Sequence, residues 1–155
     1  RFRKAIPDIT ISTDIIVGFP SETEEEFEDS MRLIRWLKPD VLNLSRFFPR
    51  PNTPAERMKG QVHGNINKIR SEEMAPLFAK LCAERNLKWK GWKGEIYIDE
   101  KGKPGTFVGR NFAYKPIVVE SDENIMGRFV AVEIIEARKN YLIGRISSRR
   151  KQKRL

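Results

Sequence analysis

The stretch from Gly94 to Ile146 decides the fold. It falls into five short segments: Gly94–Asp99 (GEIYID), Thr106–Gly109 (TFVG), Pro116–Glu120 (PIVVE), Arg128–Ala137 (RFVAVEIIEA) and Tyr141–Ile146 (YLIGRI). Turn residues divide them, at Gly102-Lys103-Pro104-Gly105, Ser121-Asp122-Glu123-Asn124 and Lys139-Asn140. Five short strands at this spacing predict a small antiparallel β-barrel. Closing so few strands leaves little room inside for a ligand. Function is therefore expected on the outer face and in the loops.

Upstream the pattern changes. Ile9–Val17 (ITISTDIIV) starts with strand alternation and ends in a β-branched run, which predicts a strand buried on both faces. Gly18-Phe19-Pro20 ends it, and Ser21 stands three residues before Glu24, the spacing of a capping box. The acidic run Glu22–Asp29 suits the first turns of a helix, where the backbone dipole favours negative charge. Phe27, Met31, Ile34 and Leu37 share one helical face, and Pro39-Asp40 stops the helix before a second strand, Val41–Phe48. Strand, helix and strand make a βαβ unit, which builds parallel sheets. Two strands are too few for such a sheet to stand alone. Missing strands must come from another copy or from a longer chain. The exposed edge could also drive dimerisation.

Between these regions, Pro49–Gly60 (PRPNTPAERMKG) predicts an ordered loop, and Asn65–Lys90 is helical in composition. Ile66, Ile69, Leu77, Phe78 and Leu81 approximate a core-facing stripe, and Pro76 is expected to kink or split the helix. The expected divisions are 1–90, 91–148, and a basic tail at 149–155 that includes Arg149–Arg154 (RRKQKR).

Thirty Lys+Arg against 21 Asp+Glu give the 155-residue chain a net charge of +9. Residues 1–60 are neutral, with ten of each sign, whereas residues 91–155 hold 14 basic against eight acidic side chains. Excess confined to one region points that region toward a polyanion. The bland alternative is a solubility surface or a loose basic tail. No apolar run approaches the roughly 20 residues of a membrane span, so no membrane partner is expected. The single cysteine, Cys82, excludes an internal disulfide and fits a reducing, cytoplasmic setting.

An enzyme site is hard to assemble from these residues. His63, the one histidine, stands beside Gly64 in a loop segment, and Cys82 sits next to Leu81 in the helical stretch as a small buried hydrophobe would. No metal site is expected, because Glu22–Glu28 reads as dipole complementation. Gly18-Phe19-Pro20 lies past the carboxyl end of a strand, where α/β folds bind ligands. Phe107, Arg110, Phe112, Tyr114 and Lys115 interleave aromatic and cationic groups, which suits stacking on unpaired bases while neutralising phosphates. Phe107, and with it Tyr114, could instead belong to the barrel core. Outer-face cations Lys93, Lys101, Lys103, Arg128 and Arg145 complete the RNA-binding candidates.

Three motifs carry a family resemblance. Thr13–Thr23 (TDIIVGFPSET) resembles the TDIIvGFPGET stretch of the radical S-adenosylmethionine tRNA methylthiotransferases, and Phe47–Ala55 (FFPRPNTPA) resembles their FyPRPGTPA signature. Gly109–Pro116 (GRNFAYKP) resembles the GRNxxYKPV run of their C-terminal TRAM domain, in the form of the archaeal and eukaryotic threonylcarbamoyladenosine branch. Ser21 and Asn52 stand where that family has glycine.

The resemblance implies an α+β multidomain protein: a C-terminal βαβα piece of a partial (β/α) radical-SAM barrel, then a five-stranded OB-like TRAM barrel. It implies tRNA as partner, held by its anticodon loop, and a methylthio group added to N6-threonylcarbamoyladenosine at tRNA position 37. The parent enzyme would use S-adenosylmethionine and two 4Fe-4S clusters. One cysteine supplies neither cluster, so this chain alone is expected to bind no cofactor and to be inactive, with no catalytic residue of its own. Val17, Gly18 and Phe19, with Ser45, Arg46 and Phe47, would line the S-adenosylmethionine pocket. The competing reading is a free-standing TRAM-type RNA-binding module.

Overall fold

The computed structural model describes residues 1–147, in two compact units: Ile11–Cys82, and Arg1–Thr10 together with the chain from Ala83 onward. The basic run Arg149–Arg154 lies outside the described residues. By their internal contacts the two units divide at 82/83, inside a helix, and the first ten residues group with the barrel.

In the unit of Ile11–Cys82, β1 (Ser12–Val17) pairs in parallel with β2 (Val41–Arg46), Ser12 opposite Val41 and Val17 opposite Arg46. Helix α2 (Glu24–Leu37) crosses between them, following the short α1 (Phe2–Ala5) in chain order. The helix starts later than the sequence suggested. Thr23, not Ser21, is the N-cap: its hydroxyl accepts from the Glu26 amide, and Glu26 reaches back to the Thr23 amide at 2.8 Å. Ser21 instead has φ +72° in the turn before the helix. At the other end Lys38 takes a left-handed conformation and Pro39 ends the helix.

Phe27, Met31 and Ile34 bury the expected face of α2 against Val17, Met74 and Leu81. The sheet, however, is covered on one face only. Thr13 and Ile15 of β1, with Leu42 and Leu44 of β2, turn toward this core, while Ser12, Asp14, Ile16, Val41, Asn43 and Ser45 are exposed. The expectation of a strand buried on both faces is corrected accordingly. Asn43 donates to the Asp14 carboxylate at 2.7 Å across that open face.

Helix α3 (Gly64–Asn86) runs unbroken through Pro76, so the proline does not split it. Its buried stripe also differs from the apolar one expected. Ile66 and Ile69 are exposed, and the buried positions are Asn67, Arg70, Met74, Leu81, Cys82 and Asn86, with Leu77 partly covered. His63 begins the helix by accepting from the Asn65 amide through Nδ1, a capping role. Cys82 is buried, and its thiol donates to the Asp40 carbonyl.

The second unit is a closed barrel of β3 (Lys93–Lys101), β4 (Thr106–Arg110), β5 (Pro116–Glu120), β6 (Phe129–Ala137) and β7 (Leu142–Ile146), ordered β3-β4-β5-β7-β6. The ladders are antiparallel except β5–β7, which is parallel, as the crossover of an OB-like barrel requires. Bulges at Asp99 and Ile135 bend the two nine-residue strands. Ile96, Ile98, Ile117, Val119, Val132, Ile134 and Leu142 fill the interior, and Trp89 is buried in the same cluster.

Candidate nucleic-acid interface

The GRNFAYKP run is the turn between β4 and β5 with its flanks, and each residue has a physical job. A Cβ at Gly109 would stand 2.6 Å from the Tyr97 carbonyl, so a side chain cannot fit there. Asn111 folds the turn: its Oδ1 accepts from the Ala113 amide at 3.1 Å and the Lys115 amide at 3.0 Å. Tyr114 sits at φ +60°, a costly conformation for an aromatic residue. The surrounding hydrogen bonds hold it there, including its own amide to the Asn111 carbonyl at 2.8 Å.

The turn therefore presents two side chains outward, Phe112 at 73% exposed and Tyr114 at 70%. Tyr114 is thus not core, while Phe107 packs partly buried against the barrel interior. Phe112 leans on Trp89 and Trp92, centroids 5.8 and 6.2 Å away. The Arg110 guanidinium lies 5.2 Å over the Tyr114 ring. A cleft of about 270 Å³ separates these aromatics from Ile6, Asp8 and Thr10, and the Thr10 hydroxyl donates to the Ala113 carbonyl.

Lys115 is a correction. It is only 5% exposed, and its Nζ donates to Asn86 Oδ1 at 2.9 Å, while Asn86 Nδ2 donates to the carbonyls of Arg138 and Lys139. It is an internal strut, not a phosphate ligand. Of the remaining cations, Lys93 pairs with Glu133 at 3.5 Å, and Arg110 with Asp99 and Glu100. Arg128 and Arg145 are exposed and have no carboxylate within 4 Å among the described residues. Lys101 and Lys103 border an open cleft of about 520 Å³ whose other rim carries Asp122 and Glu123, so its charge largely cancels.

Five of the 14 basic residues after position 90 lie in Arg149–Arg154, leaving nine Lys+Arg against eight Asp+Glu over residues 91–147. Residues 91–147 are nearly neutral, and the side chains this turn presents outward are aromatic more than ionic.

In the other unit, Gly18 has φ +77°, and a Cβ there would overlap the Asn67 side chain at 1.7 Å. The turn is held by the Glu22 carboxylate, whose Oε2 accepts from the Gly18 amide at 2.6 Å and from Arg70 Nη1 at 2.6 Å. Arg70 also binds Glu24 at 3.0 Å and lies over the Phe27 ring. Phe19 and Phe47 meet edge to face at 5.3 Å. A cleft of about 450 Å³ is lined by Ile16, Ser45, Arg46, Phe47 and residues of the proline-rich loop. That loop is ordered: Thr53 donates to the Arg50 carbonyl, Glu56 accepts from the Asn52 amide, and Gln61 binds three carbonyls.

Ser45, Arg46 and Phe47 thus share a cleft, and Gly18 and Phe19 form the adjoining turn. Val17 does not line it, because its side chain is wholly buried in the core. Glu22, Asn67 and Arg70 were missed, because a polar stripe on a helix gives no apolar period. Tyr97 and Phe129, exposed on the barrel's outer face, were missed too. The signal for Tyr97 was present: it alternates with the inward Ile96 and Ile98.

Comparison with known proteins agrees with this geometry. Residues 90–147 match the TRAM domain model. The chain is 40% identical over 151 residues to a probable threonylcarbamoyladenosine tRNA methylthiotransferase of Archaeoglobus fulgidus, covering 97% of this chain and 35% of that protein. It is 35% identical over 143 residues to the Xenopus laevis threonylcarbamoyladenosine tRNA methylthiotransferase, covering 92% and 25%. It is 34% identical over 148 residues to the tRNA-2-methylthio-N(6)-dimethylallyladenosine synthase of Bacillus cereus, covering 94% and 29%. The chain thus spans between a quarter and about a third of the length of these relatives. Residues 90–147 thus match the TRAM domain, in a chain similar along nearly its whole length to threonylcarbamoyladenosine tRNA methylthiotransferases of archaea and a eukaryote and to bacterial tRNA-2-methylthio-N(6)-dimethylallyladenosine synthases.

Proposed function

We propose that this chain is the C-terminal part of a radical S-adenosylmethionine enzyme that methylthiolates N6-threonylcarbamoyladenosine in tRNA. The barrel holds the anticodon loop, and the unit of Ile11–Cys82 contributes one wall of the cofactor pocket. The observation that carries this reading is the β4–β5 turn. A strained Tyr114 and an exposed Phe112 are kept outward by Asn111 and the buried Lys115, an arrangement that makes sense for stacking on unpaired bases. The setting is cytoplasmic, where tRNA is modified.

The residues at the strand ends suit part of S-adenosylmethionine. Ile16 and Phe47 offer apolar walls and Ser45 a hydroxyl, as an adenosine group needs, and Asn67 Oδ1 is buried without a partner beside Gly18. When bound with its cluster, S-adenosylmethionine supplies the radical chemistry. This chain's part is to orient it: Glu22 and Arg70 fix the turn that approaches it. The residues do not fit an iron–sulfur cluster. A cluster takes several cysteine thiolates, and the lone Cys82 is buried with its thiol on a carbonyl.

The test is anisotropy titration of a fluorescent anticodon stem-loop with the full chain. The reading predicts binding that weakens at least fivefold in Arg110→Ala with the fold intact by circular dichroism. Absence of binding at low salt contradicts it. In parallel, the chain incubated with iron and sulfide is expected to cleave no S-adenosylmethionine beyond the metal-only control.

A further inference from the structure

The barrel carries exposed aromatics outside the β4–β5 turn, and they line up with it. Tyr97 on β3 lies directly opposite Phe129 on β6, and directly opposite Arg110 on β4. Directly opposed residues project to the same face of a sheet. The interior is occupied by Ile96 and Ile98, so that face is the outer one. The Tyr97 and Phe129 rings touch, with centroids 5.1 Å apart, yet remain 44% and 63% exposed. Arg110 in turn lies over Tyr114. The result is one unbroken row across three strands and a turn: Phe129, Tyr97, Arg110, Tyr114. Arg128, exposed and without a carboxylate partner among the described residues, stands at its Phe129 end.

We propose that this row is a stacking track for a run of unpaired RNA, in which Tyr97 and Phe129 hold bases beyond those reached by the β4–β5 turn. This rests on the reading of the barrel as an RNA-binding unit and extends it to a second, unassigned subsite. Adjacent strands are about 4.8 Å apart, so the row is long enough for about three splayed bases. The partner's chemistry follows from the surface. Acidic Asp99 and Glu100 hold Arg110, and residues 91–147 are nearly neutral, so a duplex, bound through its phosphates, gains little here. An unpaired strand gains stacking on every base, whatever its sequence. Asp99 and Glu100 further hold Arg110 over the Tyr114 ring, where its guanidinium can also meet a base.

The test uses the full chain, a fluorescein-labelled ten-nucleotide oligouridine and a blunt RNA duplex of equal length. The track predicts tighter binding of the single strand, and a loss of roughly 5- to 100-fold in Tyr97→Ala/Phe129→Ala. Tyr97→Phe retains wild-type affinity, because the ring does the work. Trp36→Ala, at an exposed aromatic on α2 of the other unit, also leaves affinity unchanged. Thermal melts of the variants check that the outward truncations leave the core intact. If the double variant binds within twofold of wild type while Arg110→Ala is impaired, the track is wrong and the RNA-binding reading survives. If the duplex binds as well as the single strand, stacking is not the mode and the track is again wrong. If the wild type binds neither RNA, the RNA-binding reading itself fails. A change of sedimentation from dimer to monomer in the double variant, with RNA affinity unchanged, assigns the aromatic pair to a protein contact and overturns the proposal.

Discussion

Lys115 and Arg110 look alike in the sequence, two cations flanking the same aromatics, but the fold gives them opposite duties. Lys115 is buried on Asn86, and Arg110 is outside on Tyr114. Lys115→Ala is expected to lower stability by about 2 kcal/mol, since it removes the donor from a buried amide oxygen. Arg110→Ala should leave the urea midpoint nearly unchanged and weaken RNA binding. Nothing in the local sequence separates the two, because burial of Lys115 is decided by an amide 29 residues away. Ser21 and Asn52 were more legible. Both replace glycine of the family motifs, and both adopt left-handed backbone, at φ +72° and +65°. Ser21→Gly should therefore stabilise the chain by about 0.5–1 kcal/mol in urea denaturation. Gly18→Ala should do the reverse, by about 3 kcal/mol, because the new methyl meets Asn67.

At the scale of the element, strands and the α2 stripe were readable because apolar residues recur with the right period. The barrel strands fall within three residues of the expected segments, and Phe27, Met31 and Ile34 face the core as spaced. Helix α3 was readable as a helix but not in its orientation. Its buried stripe begins with Asn67, which donates to the Phe47 carbonyl after β2, and Arg70, which fastens the turn after β1 through Glu22, rather than filling a core. Arg70→Ala would leave Glu22 poorly covered and should cost about 3 kcal/mol by chemical denaturation. Pro76 lies exposed inside this helix and lacks the amide that would bond one turn back. Pro76→Ala is thus expected to raise the melting temperature, by an amount corresponding to about 1–3 kcal/mol.

For the whole molecule, the two-unit organisation was visible as a change of period, and the barrel segment expected from 91 agrees with the match over residues 90–147, while the grouping of the first ten residues was not visible. Residues 1–10 group with the barrel through contacts such as Asp8 with Lys88 at 2.8 Å, over a separation of 80 residues that no local pattern encodes. Net charge misled in a similar way. The excess after position 90 belongs mostly to Arg149–Arg154, so under the proposed RNA-binding reading the barrel would contribute stacking and the tail charge. The salt dependence of binding separates the two terms. The direct measurement is the affinity of the full chain for a single-stranded RNA across a sodium chloride titration, beside a full-length variant with the five tail cations changed to glutamine. The account predicts that the variant still binds, with a log–log salt slope shallower by about 2–3 units than wild type. Complete loss of binding in that variant would show that the barrel face contributes nothing, and would contradict the account.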